Sequence, residues 1–297
     1  MKWILKTKYV INSSRKYGSV SFLYESILSA LEKSGVEASS KNPNLHDTLK
    51  AVDEFHIGGR AATTHLLKQV DLCPGMKLLD IGSGLGGTAR FIVTEYPGVQ
   101  VKGIDLTPEF VEVASKLTHL TGFDGVAGSD INFAVGSALA IGGEDASYDR
   151  ATMLHVGMNI EDKELLFREV ARVLKSGGIF AIYDAMLANG TTNAQLPTPL
   201  PWADSEEGSH VSTSEDYSRA AEAAGFTLEA ATDRSEFAKA FFAPILKKLS
   251  ARDGEKGLPP LSMLITFGRD AITKMHNVIH VVNSDAVAPK EMIFRKR

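Results

Sequence analysis

Short apolar segments alternate regularly with helical patterns through the middle of this chain. Five segments have the apolar character of buried parallel strands: Lys77–Ile81, Val99–Ile104, Asn132–Val135, Tyr148–Leu154 and Ile179–Tyr183. Apolar positions at helical spacing lie between them, and one such helix, Asp162–Leu174, ends at a Lys-Ser-Gly-Gly turn. This alternation predicts an α/β fold with a doubly wound, mostly parallel sheet and helices on both of its faces.

The regular alternation stops on both sides of this region. Before it, helical spacing predicts three helices, over Phe22–Lys33, Leu45–Glu54 and Ala61–Val70. After it comes a long loop, residues 187–210, which is rich in proline and small polar residues and carries Trp202. Long loops inside compact domains are usually functional, so we expect this loop to be a lid over a substrate.

The C-terminal part predicts further elements around the lid. Helices are expected over 214–224, 236–249 and 260–283, and strands over 227–231 and 291–294. We therefore expect two parts: an N-terminal helical segment over 1–60, which would cover the active site, and a domain over 61–297. The domain divides into a ligand-binding core, about 61–186, and the lid with the C-terminal elements, about 187–297.

Composition narrows the classes of function. The 297 residues include 36 acidic and 32 basic side chains, so a net charge of −4 gives no reason to expect nucleic acid or an anionic membrane surface. No apolar run is long enough to span a bilayer. The single cysteine, Cys73, excludes an internal disulfide and a thiolate zinc site, and we expect it to be buried near a loop. The histidines show no metal-ligand spacing, so we expect no metal site.

The N-terminus bears on localisation. Met1–Gly18 is basic and lacks the apolar segment of a secretory signal. Its acid-poor composition is weakly similar to an organelle presequence, but no amphipathic arginine pattern supports that reading. We therefore expect a cytoplasmic protein, a monomer or homodimer, whose partner is a small molecule.

A glycine-rich loop, residues 80–87 with the sequence Asp-Ile-Gly-Ser-Gly-Leu-Gly-Gly, follows the first predicted strand and precedes a helix. Glycine lets a backbone approach a ligand closely because it has no Cβ. Gly82, Gly84 and Gly87 also match the dinucleotide pattern G-x-G-x-x-G. Asp105 lies where a ribose-binding carboxylate belongs, about 20 residues further on. These features fit either NAD or S-adenosylmethionine.

Asp80 discriminates between these two ligands. A carboxylate immediately before the loop would repel a pyrophosphate docked on the helix N-terminus. S-adenosylmethionine has no phosphate and carries a sulfonium and an α-ammonium, so Asp80 favours it as the cofactor. An NAD-dependent reductase is further disfavoured because no Tyr-x-x-x-Lys pair lies near the fourth predicted strand.

These motifs resemble those of class I S-adenosylmethionine-dependent methyltransferases, whose Rossmann-like fold matches the predicted sheet. Leu78–Gly87 is similar to the first motif of that superfamily, and Gly103–Leu106 to its ribose motif. Leu174–Gly178 is similar to the turn before its fifth strand, with serine in place of the common proline. Phe55–Thr63 and His155–Ile160 resemble a subgroup near the ubiquinone/menaquinone-type and sarcosine/dimethylglycine-type enzymes. The resemblance implies methylation of a small molecule on carbon or nitrogen.

The resemblance also implies which residues contact the cofactor. Asp80 would lie near the methionine ammonium, and Asp105 would accept hydrogen bonds from both ribose hydroxyls. Leu106 would pack on the adenine, and His155 would face the methyl group. The other implied cofactor residues are Gly82, Ser83, Gly84, Gly86, Gly136, Ser137 and Ala138. Ser137 replaces an acid that is common in the family, and a hydroxyl is a weaker acceptor for the adenine amine than a carboxylate.

Two histidines are candidates for a catalytic base. Methyl transfer depends mainly on positioning the nucleophile, and a base is needed only if the nucleophile starts protonated. His155, at the end of the fourth predicted strand, is the first candidate because histidine commonly accepts protons near neutral pH. The alternative is a packing role beside the cofactor. His56, in the N-terminal segment, is the second candidate, and an ordinary position at a helix end is its alternative.

Three residues are candidates for binding the acceptor. Arg60 could hold a carboxylate in a bidentate pair, or could be a solvated helix residue. Trp202 could form a substrate wall or attract a methylated ammonium, or could simply anchor its loop. Asn159 occupies a position where some phosphobase methyltransferases have a catalytic histidine, and in this it resembles the quinone-type enzymes.

The sequence therefore predicts an enzyme that transfers a methyl group from S-adenosylmethionine to a small-molecule acceptor, leaving S-adenosylhomocysteine. Nitrogen is the first expectation for the acceptor atom, with carbon or oxygen as further choices. The alternatives are a quinone-type C-methyltransferase and a non-catalytic regulator that binds S-adenosylmethionine.

Overall fold

The structure, a computed structural model that describes residues 22–123, 130–188, 190–250 and 259–297, confirms the predicted α/β sheet. Seven strands form one sheet in the order β3-β2-β1-β4-β5-β7-β6. The strands are β1 (Lys77–Ile81), β2 (Gln100–Asp105), β3 (Ile131–Val135), β4 (Tyr148–Leu154), β5 (Leu174–Leu187), β6 (Phe226–Asp233) and β7 (Val287–Lys296). The first five run parallel, and β7 is antiparallel to both β5 and β6. The expectation for Met1–Gly18 lies outside the described residues.

Ten α-helices surround the sheet in the part of the chain that the structure describes. They are α1 (Phe22–Lys33), α2 (Leu45–Asp53), α3 (Gly59–Leu67), α4 (Gly87–Glu95), α5 (Pro108–Leu120), α6 (Lys163–Val173), α7 (Ser214–Ala223), α8 (Ser235–Leu249), α9 (Leu264–Phe267) and α10 (Ala271–Asn283). None of these described helices is long and apolar enough to cross a membrane. The division of the chain near residue 60 remains a prediction.

Both faces of the sheet are buried, which explains the continuous apolar runs in its strands. In β5, Phe180 and Ile182 join a core cluster with residues of α6 and α7. Ala181, which lies between them, joins a second cluster with residues of α3 and α4 on the other face. Successive side chains of a strand point to opposite faces, so a strand between two helix layers must be apolar at every position.

The carboxyl ends of the parallel strands meet at one edge of the sheet. Ile81 at the end of β1 is level with Ile104 in β2 and with Met153 in β4, and Leu154 is level with Tyr183 in β5. The glycine loop therefore follows β1 at the same edge where β4 ends in His155. Ligands of open α/β sheets bind at this edge, so the fold places the site here.

The N-terminal helices cover the glycine loop. Apolar side chains of α1 and α2 form a buried cluster with Leu85 of the loop and with residues of α5. Asp53 of α2 forms a fully buried ion pair with Arg90 of α4, at 2.6 Å, and Arg90 also donates to the carbonyl of Leu85. That the N-terminal segment covers the active site remains a prediction from the sequence.

The lid segment, residues 187–210, is packed and hydrogen-bonded. Trp202 is buried in an apolar cluster with α8 and α10. Its indole donates to Ser209 at 3.1 Å, and Asn193 donates to the carbonyl of Val211 at 2.8 Å. The segment therefore rests on the C-terminal helices through side chains that the sequence pattern alone did not link.

The structure corrects two expectations. The single helix expected over 260–283 is wrong: α9 and α10 are separate, because Gly268 between them has a φ of +75°, which an α-helix does not accommodate. Cys73 is exposed, not buried, because it lies in the connection between α3 and β1. Strands β5 and β7 also extend further than predicted, since they pair with each other from Ile179 to Leu187.

Candidate active site

The glycine loop has backbone conformations that side chains with a Cβ rarely adopt. Gly82 and Gly84 have φ values of +70° and +52°. A Cβ on Gly82 would overlap the side chain of Val156, and one on Gly84 would come within 3.1 Å of the Phe55 ring. The loop is therefore held between the segment after β4 and the N-terminal segment, and glycine is required at both positions.

Asp105 orders this loop from the end of β2. Its Oδ2 accepts a hydrogen bond from the Gly84 amide at 3.0 Å, and its Oδ1 accepts one from the Thr107 amide at 2.9 Å. Burial raises the pKa of this carboxyl, and the two amides oppose the rise. Leu106, the next residue, is 60% exposed, which is unusual for a large apolar side chain. A carboxylate with an apolar platform beside it matches the arrangement expected for a ribose and its adenine.

Asp80 is the polar group of the site that best indicates the charge of the ligand. Its side chain is 2% exposed, and Oδ1 accepts a hydrogen bond from Thr152 at 2.9 Å. Oδ2 is buried, and no hydrogen-bond partner for it lies among the described residues. Burial raises the pKa of Asp80 to about 7. A buried carboxylate with an unmatched oxygen is costly unless a donor or a cation compensates it, so Asp80 is suited to a positively charged ligand.

The remaining predicted cofactor residues lie on the same edge. The Ser83 hydroxyl is buried and has no hydrogen-bond partner within the described chain. The Ser137 hydroxyl accepts from the Leu139 amide at 3.1 Å in a tight turn after β3, which brackets Ala138. Gly86 caps α4 with a φ of +79°. The structure thus brings these residues together, while their contacts with a cofactor remain a prediction.

His155 directly follows β4 and has a strained conformation. Its φ is +55°, a left-handed value uncommon outside glycine, and its amide donates to the carbonyl of Tyr183 at 2.7 Å. Its Nε2 is buried without a hydrogen-bond partner among the described residues. Burial, and secondarily the neighbouring His56, lower the pKa of His155 well below its ordinary value. Strain of this kind concentrates at functional sites, and here it turns an imidazole toward the carboxyl edge of the sheet.

His56 comes to the same place from the N-terminal segment. Its ring centroid is 6.1 Å from that of His155. Tyr183 packs edge-on against both rings, with centroid distances of 4.9 Å to His155 and 6.3 Å to His56. Burial lowers the pKa of His56 to about 4, so both imidazoles are neutral near neutral pH. The sequence pointed to the two histidines but missed Tyr183, whose only signal was its position at the end of the fifth predicted strand.

The candidate acceptor residues have partners within the protein. Arg60 pairs with Glu54 through its Nε, and its guanidinium lies 4.2 Å from the centre of the Phe91 ring. Asn159 donates to the backbone carbonyl of Trp202 at 2.7 Å, which joins the turn after β4 to the lid segment. Substrate binding by these three residues remains a prediction.

No metal cluster was found among the residues that the structure describes: they contain no group of three His, Cys, Asp or Glu side chains suited to a metal ion. The carboxylates and imidazoles of the site lie along the carboxyl edge of the sheet. Their arrangement offers an anionic position at Asp80, a hydroxyl-binding position at Asp105, and two neutral imidazoles a short distance along the sheet edge.

Comparison with known proteins agrees with this geometry. The methyltransferase domain family matches residues 79–182. The chain is 37% identical over 115 residues to a 2-methyl-6-phytyl-1,4-hydroquinone methyltransferase of Synechocystis, covering 38% of this chain and 33% of that protein. It is 34% identical over 136 residues to ajmaline N-methyltransferase of Rauvolfia serpentina, covering 42% of this chain and 45% of that protein. The chain thus spans about a third to a half of these relatives.

A solved structure shows the same fold over nearly all of the chain. Phosphoethanolamine N-methyltransferase 2 of Haemonchus contortus superposes with a TM-score of 0.68 at 20% identity, covering 94% of this chain and 61% of that one. This superposition shows the fold, and residues 79–182 within it match a methyltransferase domain. The predicted fold is confirmed, and the family match agrees with the predicted methyltransferase class.

Proposed function

We propose that this protein transfers a methyl group from S-adenosylmethionine to a small-molecule acceptor, with nitrogen as the first choice of acceptor atom. The observation that carries the proposal is the unmatched, buried Oδ2 of Asp80 beside the glycine loop. A pyrophosphate cofactor would leave this carboxylate uncompensated and repelled, whereas an α-ammonium would pair with it.

The residues of the site fit this cofactor. Asp80 would hold the ammonium, the loop glycines would admit the methionine portion, and Asp105 would accept from the ribose hydroxyls. When bound, the cofactor supplies a methyl group already activated by a positive sulfur. The chain's own task is then to orient an acceptor in line with that group and to keep water away from it.

The two imidazoles would bind the methyl acceptor. Each is neutral near pH 7 and so has one unprotonated nitrogen that can accept a hydrogen bond from the acceptor. An amine N–H held in this way would point its lone pair elsewhere, toward the methyl group. Because burial lowers the pKa of both imidazoles, they would act as hydrogen-bond acceptors and not as strong bases. Tyr183 packs edge-on against both rings.

A quinone-type C-methyltransferase is the second candidate, and a specific observation favours it. Apolar side chains adjoin the two histidines: Ile57 follows His56, and Met158 lies in the turn after His155. Both belong to the buried cluster that includes Trp202 of the lid segment. An apolar acceptor would suit this surrounding better than a charged amine, and one curated relative is named for a hydroquinone.

The proposal is tested with S-adenosylmethionine that carries a deuterated methyl group. The protein would be incubated with a panel of amines, phenols, hydroquinones and sterols, and products would be detected by mass. Gain of the labelled methyl on an amine nitrogen supports the first choice, and gain on a hydroquinone carbon supports the second. Tight cofactor binding with no labelled product on any class would contradict both and indicate a non-catalytic regulator.

A further inference from the structure

A chain of buried hydrogen bonds runs from an ion pair to His56. Arg60 pairs with Glu54 through Oε1. The other oxygen of Glu54, Oε2, accepts from the hydroxyl of Thr63 at 3.0 Å. That hydroxyl oxygen lies 3.0 Å from Nε2 of His56, and the carbonyl of Gly59 lies at the same distance from this nitrogen. Glu54, His56 and Thr63 are all buried, so water does not compete for these contacts.

The polarity of each bond determines the protonation of the imidazole. The carbonyl of Gly59 can only accept, so its contact favours a hydrogen on Nε2 of His56. The Thr63 proton is directed to the carboxylate of Glu54, so its oxygen is free to accept from the same N–H. Both contacts require the Nε2–H tautomer, and Nδ1 is then the unprotonated nitrogen.

The charged groups at the other end of this series of hydrogen bonds, Glu54 and Arg60, strengthen this assignment. Burial raises the pKa of Glu54, and the ion pair with Arg60 and the Thr63 hydroxyl oppose that rise. An ionised Glu54 draws the Thr63 proton toward itself and makes the hydroxyl oxygen a better acceptor. Hydrogen bonds in such a series polarise one another in a buried setting. The imidazole consequently gains electron density at its other nitrogen.

We infer that Glu54, Thr63 and Arg60 are positioning residues that hold His56 in the Nε2–H tautomer, so that its Nδ1 accepts a hydrogen bond from the methyl acceptor. This inference rests on the proposed function, and it extends it by assigning His56 a defined acceptor atom. It also gives Arg60 a task other than substrate binding. The α2–α3 connection thus supplies one catalytic group and, within a few residues, the groups that orient it.

Histidine tautomers are distinguished by the chemical shifts of the two ring nitrogens. The full chain would be labelled with ¹⁵N-histidine, and the His56 signals assigned by comparison with His56→Gln. We expect Nε2 to show the shift of a protonated nitrogen and Nδ1 that of an unprotonated one near pH 7. In Thr63→Val, both shifts should move toward the average of the two tautomers, and Thr63→Ser should restore them. A wild-type signal from the Nδ1–H tautomer would overturn the inference.

The matched control lies on the next residue. Thr64 donates its hydroxyl to the carbonyl of Arg60 and does not contact the chain of bonds to His56, so Thr64→Val should leave the His56 shifts unchanged. With an identified acceptor, Thr63→Val should lower kcat about tenfold while cofactor affinity stays the same. A loss of kcat without any change in tautomer would assign Thr63 to packing and overturn the inference.

The two proposals fail in different ways. An absence of methyl transfer by the wild-type protein would contradict the proposed function while leaving the tautomer measurement intact. Methyl transfer with His56 in the Nδ1–H tautomer would contradict only the role given to Glu54 and Thr63.

Discussion

The carboxyl edge of the sheet has two halves that are built in different ways. The cofactor half comes from one continuous stretch, in which Asp80 lies near the end of β1, the glycine loop follows, and Asp105 ends the neighbouring strand β2. The acceptor half joins His56, His155 and Tyr183 from three distant parts of the chain. The first half presents carboxylates and the second presents neutral rings. From this difference we expect local sequence to recognise a charged, common cofactor and tertiary structure to select a particular acceptor.

The largest expected effect is on the free energy of unfolding, at the N-terminal helices that pack over the glycine loop. Asp53→Asn leaves Arg90 buried without a counter-charge, and breaking a buried pair in this way costs about 3–5 kcal/mol. We expect urea unfolding to show a loss of that order. The matched control is Asp47→Asn in the same helix, whose pair with Lys50 is exposed and should contribute at most about 0.5 kcal/mol. Equal losses in both variants would mean that the buried pair does not stabilise the packing of the N-terminal helices over the glycine loop.

Asp105→Ala tests the centre of the cofactor half. The variant loses two hydrogen bonds to backbone amides and the proposed ones to the ribose, and hydrogen bonds to charged groups contribute about 1.5–3 kcal/mol each. We expect cofactor affinity to fall by about 100- to 1,000-fold in calorimetry. Asp145→Ala, at an exposed surface ion pair, is the control and should bind normally. Unchanged affinity in Asp105→Ala would place the ribose elsewhere.

His155 tests the acceptor half. Because its φ is +55°, Asn is the better replacement, since it tolerates the left-handed region more readily than Ala. We expect His155→Asn to lower kcat by about 100-fold, because misplacing the acceptor relative to the methyl group costs a factor of that order, with a much smaller change in cofactor affinity. His155→Ala should show the same order of effects with a further loss of stability. If affinity and kcat fell together, His155 would belong to the cofactor half as a packing residue.

Asp80→Asn removes the charge of this side chain and keeps its shape, so the variant tests what the charge contributes to cofactor affinity. The amide can still accept from Thr152, but it cannot pair with an ammonium, so we expect affinity for S-adenosylmethionine to fall by about 10- to 100-fold. Methylthioadenosine, which has no α-ammonium, should bind the variant and the wild type equally. An equal loss for both ligands would show that the substitution disturbs the loop and not an ion pair.

The same residue gives a pH dependence with a definite sign. Burial raises the pKa of Asp80 to about 7 in the folded protein, against about 4 in an unfolded chain. Between these values the folded state binds more protons, so this group lowers the free energy of unfolding as the pH rises from 4 to 7. Asp80→Asn should flatten that decline in urea titrations. Cofactor affinity of the wild type should rise through pH 7, because the carboxyl must ionise to pair with a cation.

The cofactor half and the sheet could be predicted from the sequence because their signals are local. Apolar runs ending in glycine specify buried strands, and the bounds of β1 and β4 were predicted to the residue. The carboxylate at position 80 is informative without any other residue, because its charge favours S-adenosylmethionine over NAD. The methyltransferase class followed from these few residues.

The rest depended on contacts that no local pattern encodes. Nothing near position 183 in the sequence shows that Tyr183 lies against His56, because the chain returns to this edge only through the sheet topology. The pairing of Arg60 with Glu54 has no local signal either, because a glycine turn lies between the two residues. The break at Gly268 was missed because flanking apolar residues keep a helical spacing on both sides.

The most direct test of the account is a calorimetric titration of the wild-type protein with S-adenosylhomocysteine and, separately, with NAD. The unmatched oxygen of Asp80 and the hydrogen bonds of Asp105 predict micromolar or tighter binding of S-adenosylhomocysteine and no measurable binding of NAD. Micromolar binding of NAD without binding of S-adenosylhomocysteine would contradict the central claim, that a buried carboxylate before the glycine loop selects a cationic cofactor.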